Sequence, residues 1–215
     1  MNILNEIKKN WPLKIIEWEK ESGRDFPWRK NRTPYKVLIS ELLLKRTTST
    51  AVSRIFEDFI QRYPNIITLS KASKKGLEKI LSGIGLQEQK SLDIQQMTTS
   101  IMEQFNGSLP DDFHSLISVP GIGDYTASSL LVFGFNKPKA IVDSNVIRIL
   151  SRAFYVKGKG LNDIAEKLVP RKDADLYNYG LLDLGAIICH YSIKKCPYCP
   201  VKIYCKTWVD GIKSV

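Results

Sequence analysis

Nothing in this chain of 215 residues is apolar for long. No run approaches the ~18 consecutive apolar residues of a membrane-spanning helix. The start, Met1-Asn2-Ile3-Leu4-Asn5-Glu6, lacks the apolar core of a signal peptide. The chain is therefore expected inside the cell, away from membranes. Period-two alternation is missing over any succession of segments, which argues against a β fold. Internal repeats and low-complexity tracts are also absent. Cysteine does not occur before Cys189, and all four cysteines lie between Cys189 and Cys205. This argues against disulfides stapling the whole fold, and a reducing compartment favours a metal role. Acidic residues are outnumbered, 22 against 32 Lys and Arg, leaving a net charge of +10. Such an excess suits a polyanionic partner.

What is present reads as helices, enough for one domain or two small lobes. Leu4, Ile7, Trp11, Ile15 and Trp18 recur at three- and four-residue steps over residues 1–22, although Pro12 is expected to kink or split that helix. Phe26-Pro27-Trp28-Arg29 and Thr33-Pro34-Tyr35 form an aromatic and basic connection, fit either to lie on a sugar–phosphate backbone or to pack a loop. Two helical patterns follow. One carries Leu38, Leu42 and Leu43; the other turns Val52, Ile55, Phe56 and Phe59 inward. Glu41 stands among core leucines, where desolvation raises a carboxyl pKa and makes a general acid, unless it lies on a solvated face. Thr68 or Ser70 is expected to cap a helix in 65–105, and Leu77, Ile80 and Leu81 supply an apolar face. Gly83-Ile84-Gly85 opens another helix. After Pro138, any of Asp143, Ser144 or Asn145 can cap a helix that sends Val146, Ile149 and Leu150 into a core. A last apolar helix runs from Leu176 to Ile188 into the cysteines.

The stretch Val119-Pro120-Gly121-Ile122-Gly123-Asp124-Tyr125-Thr126-Ala127 reads as a tight hairpin between helices. Upstream, Phe113, Leu116, Ile117 and Val119 form an apolar stripe. Downstream, Asp124 or Thr126 is expected to start the next helix. Backbone N–H groups at such a turn suit a phosphate, although Gly-x-Gly also serves as a plain connection. Cys189, Cys196, Cys199 and Cys205 have the spacing C-x6-C-x2-C-x5-C. Four thiolates in one loop suit either zinc or an iron–sulfur cluster. A single C-x2-C, rather than two knuckles, favours the bulkier cluster. Lys194, Lys195, Lys202 and Lys206 surround these ligands.

Taken together, Thr33-Pro34-Tyr35 to Thr48, the hairpin 119–127, Val142-Asp143-Ser144-Asn145-Val146-x-Arg148 and the cysteine spacing resemble the helix-hairpin-helix DNA glycosylase superfamily. The resemblance covers nearly the whole chain and is to the iron–sulfur branch of endonuclease III, MutY and the archaeal thymine–guanine mismatch glycosylases. It implies an all-α fold of two helical lobes with a DNA cleft between them. Residues 28–135 would form a six-helix barrel with the hairpin at 119–125. Residues 1–27 and 136–215 would form a lobe carrying a [4Fe-4S] cluster in loop 189–205. The implied partner is double-stranded DNA with a mismatched or deaminated base, bound by a monomer at the nucleoid. Gly121 and Gly123 would grip backbone phosphate, and Lys45, Arg46, Leu86 and Gln87 would enter and part the strands. Asp143 would stabilise the oxocarbenium-like sugar and activate water, with Glu41 and Tyr125 at the base.

Position 125 selects the subclass. The bifunctional pattern of endonuclease III has a lysine there that forms a Schiff base; a tyrosine phenol cannot. The resemblance thus implies a monofunctional glycosylase removing thymine or uracil opposite guanine. A MutY-type adenine glycosylase is the alternative, against which stand Lys45-Arg46 in place of paired glutamines and a chain ending ten residues after Cys205. A non-catalytic DNA-binding iron–sulfur protein is the reading from another class, which the presence of both Glu41 and Asp143 opposes.

Overall fold

Pro12 does not divide the first helix. In the computed structural model, which describes residues 3–192 and 194–213, α1 runs unbroken over Ile3–Ser22 with Pro12 inside it. Proline removes one intrahelical hydrogen bond and crowds the preceding turn. Trp11, Ile15 and Ile16 on either side are buried in one hydrophobic core and hold the helix through the defect. Ile7 and Trp18 pack at that core's margin, whereas the side chain of Leu4 and the residues Met1 and Asn2 lie outside the described residues.

The chain divides into two units. One consists of Met1–Arg24 with Asn136–Val215, and the other, Asp25–Phe135, is inserted within it in sequence. The fold is all-α: regular structure among the described residues is helical apart from a lone bridge between Cys189 and Lys194. No helix is long and apolar enough to cross a membrane among the described residues.

The inserted unit holds α2 (Pro34–Leu44), α3 (Ser49–Arg62), α4 (Ile66–Ser70), α5 (Lys74–Ile80), α6 (Gln87–Phe105), α7 (Phe113–Ile117) and α8 (Asp124–Ser129). The last continues as a π turn, Leu130–Gly134, against α2. Leu38, Leu42, Leu43, Val52, Phe56, Phe59, Leu77 and Leu81 fill its interior, and α4 and α5 pack on α6. The aromatic connection before α2 is packed: Trp28 is buried, stacks on Phe26 and meets the edge of Phe56, while the Tyr35 hydroxyl donates to the Tyr63 carbonyl.

Within 65–105 the helix caps differ from expectation. Asn65, not Thr68 or Ser70, caps α4 by accepting from Thr68 N, and Ser73 caps α5 by accepting from Gly76 N. Both sit where the chain is still extended, as a capping side chain must. At α8 Asp124 is the first helical residue, as expected, and the N-cap itself is Gly123, which has no side chain to cap with. Ile117, placed in an apolar stripe, is exposed.

The other unit contains α1, α9 (Ser144–Phe154), α10 (Lys159–Leu168), α11 (Ala174–Ile187) and α12 (Lys206–Lys213). Helix α1 packs on α11, and α9 packs on α11 and α12. Trp11, Val146, Ile149, Leu150, Tyr177, Leu181 and Leu184 meet in its core. The buried carboxylate of Asp183 is held by Arg24, whose Nε donates to Oδ1 at 2.8 Å and whose backbone N donates to Oδ2 at 2.6 Å. A buried carboxylate needs such pairing to stay ionised without large cost.

Candidate active site and cysteine centre

Three groups of residues stand out, two on the inserted unit and one on the other. The first surrounds a cavity of about 520 Å³ lined by Glu41, Leu44, Lys45, Gly123, Asp124, Tyr125 and Thr126. Glu41 is presented by the last turn of α2 and Tyr125 by the first turn of α8. Both side chains are half-buried, and the cavity has acidic, basic and phenolic groups on its wall. The hairpin before α8 turns at Gly121, whose φ of +85° is the left-handed region that disfavours a side chain. Gly123 does not share that need: its φ is −97° with extended ψ, and no atom lies within 4 Å of where a Cβ would stand. Lys45 Nζ donates to Gly121 O at 2.7 Å, so the end of α2 is tied to the hairpin.

The second group lines a neighbouring cavity of about 190 Å³: Leu42, Leu43, Lys45, Arg46, Leu86, Gln89, Lys90, Asp93 and Ile94. Arg46 and Leu86 are exposed and both have φ of +55°. Such a conformation costs a non-glycine residue about 1 kcal/mol and persists only where the surroundings impose it. Gln87, the first residue of α6, is exposed beside Leu86. No sequence pattern singles out Lys90 as a functional residue. This lysine is 5% exposed, and its ammonium donates to Leu42 O, Leu43 O and Lys45 O at 3.2, 3.0 and 2.7 Å. Burial, then the nearby Lys45 charge, lowers its pKa below the usual lysine value.

The third group lies on the unit built from both ends of the chain. Asp143 is the N-cap of α9, its Oδ1 accepting from Val146 N at 2.8 Å. Its Oδ2 accepts from Asn145 Nδ2 at 2.8 Å, so both carboxylate oxygens are oriented. Asn145 Oδ1 in turn accepts from Arg148 Nη2 at 2.7 Å. Arg148 also donates to Gly185 O at 2.8 Å and through Nε to Cys189 O at 2.8 Å. Gly185 is needed here, because a Cβ on it would stand 2.5 Å from Asn145 Cβ. One turn further, Arg152 Nη1 donates to Cys189 Sγ at 3.3 Å and to His190 O at 2.9 Å.

Cys189, Cys196, Cys199 and Cys205 line one cavity with Trp11, Ile149, Val201 and Trp208. Burial pushes the thiols of Cys199 and Cys205 up, that of Cys199 to about 12, and the neighbouring cysteine sulfurs add to the effect. As bare thiols these groups would be neutral; a metal centre supplies the positive charge that keeps four thiolates together. A guanidinium donor on Cys189 Sγ suits an anionic sulfur as well. Among the described residues, no three Cys, His, Asp or Glu side chains are grouped as the ligands of a single metal ion. The four cysteines border one shared space, and their thiols fit a sulfur-ligated metal centre.

Residues 39–172 match the family model of the HhH-GPD superfamily base excision DNA repair proteins. The chain belongs to that superfamily. It is 36% identical over 199 residues to a thymine/uracil-DNA glycosylase of Pyrobaculum aerophilum, covering 87% of this chain and 86% of that one. It is 34% identical to an adenine DNA glycosylase of Buchnera aphidicola subsp. Baizongia pistaciae, covering 92% of this chain and 58% of the relative. The solved structure of a thermostable thymine-DNA glycosylase superposes with a TM-score of 0.92 at 30% identity, over 97% of this chain and all of that one. The superfamily's match spans the cavity with Glu41 and Tyr125, the buried Lys90 and the cap at Asp143, and ends before the cysteines.

Proposed function

We propose that this chain is a monofunctional DNA glycosylase of base excision repair that removes thymine or uracil opposite guanine and leaves an abasic site. The observation that carries the reading is the tyrosine at 125, on the wall of the cavity that also holds Glu41. A phenol offers no amine for an imine at this position, and the Lys45 ammonium on the same wall is engaged with Gly121 O, which favours water as the nucleophile. The strong likeness to thymine/uracil- and thymine-DNA glycosylases supports the choice of base.

Hydrolysis of an N-glycosidic bond places positive charge on the sugar as the base departs. The Asp143 carboxylate, oriented by Val146 N and Asn145, is suited to stabilise that charge and to accept a proton from the attacking water. The extruded base would be received beside Tyr125, with Glu41 hydrogen-bonding its Watson–Crick edge or protonating it as it leaves. Gly121 and Gly123 would face a backbone phosphate, while Lys45, Arg46, Leu86 and Gln87 would occupy the opened base pair. Cys189, Cys196, Cys199 and Cys205 would hold a [4Fe-4S] cluster, which when bound would fix the loop from Cys189 to Cys205 and its lysines against DNA.

The test uses duplexes bearing T/G, U/G and A/8-oxoguanine, analysed before and after hot alkali. Strand breaks on T/G and U/G that need alkali are expected. Breaks without alkali would overturn the argument from Tyr125, excision of adenine alone would favour a MutY-type enzyme, and no breaks on any duplex would favour a binding protein. A brown protein absorbing near ~400 nm is expected for the cluster, and a colourless zinc protein would overturn that assignment.

A further inference from the structure

The Lys90 ammonium has three protons, and all three are used on main-chain carbonyls at the end of α2. The last carbonyls of any helix lack intrahelical donors and carry the negative end of its dipole. Water or a glycine turn ordinarily satisfies them. Here a lysine from the first turn of α6 does so, at the cost of burying a charge, where an apolar side chain would have packed without that cost.

The bonds around this point form a closed set. Lys90 N donates to Leu86 O at 2.8 Å, so the ammonium is anchored one turn from the exposed leucine with positive φ. Thr47 Oγ1 lies 3.2 Å from Lys45 O and 3.2 Å from Ile84 O, joining the loop after α2 to the glycine turn before α6. Lys45 Nζ reaches the hairpin at Gly121 O. Thus segment 45–47, turn 83–86 and hairpin 121–123 are held to one another before any ligand arrives, with Arg46 and Leu86 fixed in a costly backbone conformation.

We propose that Lys90 is a positioning residue: by binding the α2 carbonyls it presets Arg46 and Leu86 as a rigid wedge that opens the base pair, and it contributes nothing to bond cleavage itself. The inference rests on the glycosylase reading above. Rigid presentation lowers the ordering cost that a flexible loop would incur when it enters a duplex. The requirement for Lys90 therefore follows the work of separating the strands.

Lys90→Met keeps the unbranched stem and removes the three donors. With Thr47→Val and Lys90→Arg it is compared with the parent protein under single turnover, on a T/G duplex and on the same duplex with the target thymine inside an unpaired bubble. Pair opening is read separately by 2-aminopurine placed next to the mismatch, a signal that needs no excision. Expected for Lys90→Met is a loss on the order of ten- to a hundredfold on the paired duplex, little loss on the bubble, and a weakened 2-aminopurine rise. Thr47→Val should show the same selectivity to a lesser degree, and Lys90→Arg should restore part of it. Equal losses on both substrates, or an unchanged 2-aminopurine signal, would overturn the proposal. Should Lys90→Met fail to fold, Thr47→Val and Lys90→Arg decide it by the same readouts. A parent protein that excises nothing defeats the glycosylase reading, and the 2-aminopurine signal still judges the wedge.

Discussion

Asp143 has one observed role, the cap of α9, and one proposed role in catalysis, and a single substitution normally confuses the two. Its Oδ1 closes the first turn of α9, and its charge is the one assigned to the transition state. Asp143→Asn keeps an acceptor for Val146 N and loses only the charge. Turnover on a U/G duplex is expected to fall by about 10²–10³, the scale of removing one transition-state electrostatic contact, with DNA affinity retained. Asp143→Ala should lose the same activity and, in addition, about 1 kcal/mol of stability as the cap disappears. Urea unfolding of the two variants beside turnover separates the effects; an Asp143→Asn protein that stays active would leave Asp143 with the cap alone. In sequence the cap was narrowed to Asp143, Ser144 or Asn145, because these precede an apolar-periodic stretch. The chain of bonds through Asn145 and Arg148 to Cys189 was not legible there. It depends on Gly185 of α11 letting Asn145 approach, and no local pattern announces which distant glycine will face a given side chain.

At the scale of helices, periodicity told most where packing is one-sided. The apolar face of α3 (Val52, Phe56 and Phe59) and that of α9 (Val146, Ile149 and Leu150) were readable directly. Pro12 does not split α1, because the core around Trp11 and Ile15 outweighs a local defect. Capping misled where several capable residues lie within one turn, as at Asn65, Thr68 and Ser70. Glu41 and Tyr125 share a cavity only because α2 and α8 meet, which pattern alone does not reveal and resemblance to a family does. One cap offers a pH test. Asp112 accepts from Ser115 N at 2.9 Å at the start of α7, and this bond, followed by other local partners, lowers its pKa. A depressed carboxyl pKa stabilises the folded state above the unfolded value, about 3.9, and that gain fades as pH falls through the folded one. The stability gap between the parent protein and Asp112→Ala, measured by urea unfolding, is therefore expected to be full near neutrality and to narrow below pH ~4. A gap independent of pH would contradict the assignment.

Over the whole molecule, the +10 charge frames how DNA is met. Affinity for a T/G duplex is expected to fall linearly in log–log form with salt, by a slope of about −0.9 for each phosphate neutralised. Arg46→Gln should flatten that slope by about one unit if Arg46 meets a phosphate, and leave it unchanged if it meets bases. Fluorescence anisotropy over a salt series distinguishes the two.

The order of the chain has a consequence for biosynthesis. Helix α1 finds its main packing partner in α11, and the whole of Asp25–Phe135 is made between them. At ~5–20 residues per second, a ribosome takes on the order of ten to thirty seconds to travel from one helix to the other. Until α9, α10 and α11 have been made, Trp11, Ile15 and Ile16 lack the core they enter, whereas the inserted unit has all of its own helices once Phe135 has been made. The nascent chain thus emerges with its middle able to fold first and its beginning waiting, a greasy helix of the kind that holding chaperones shield.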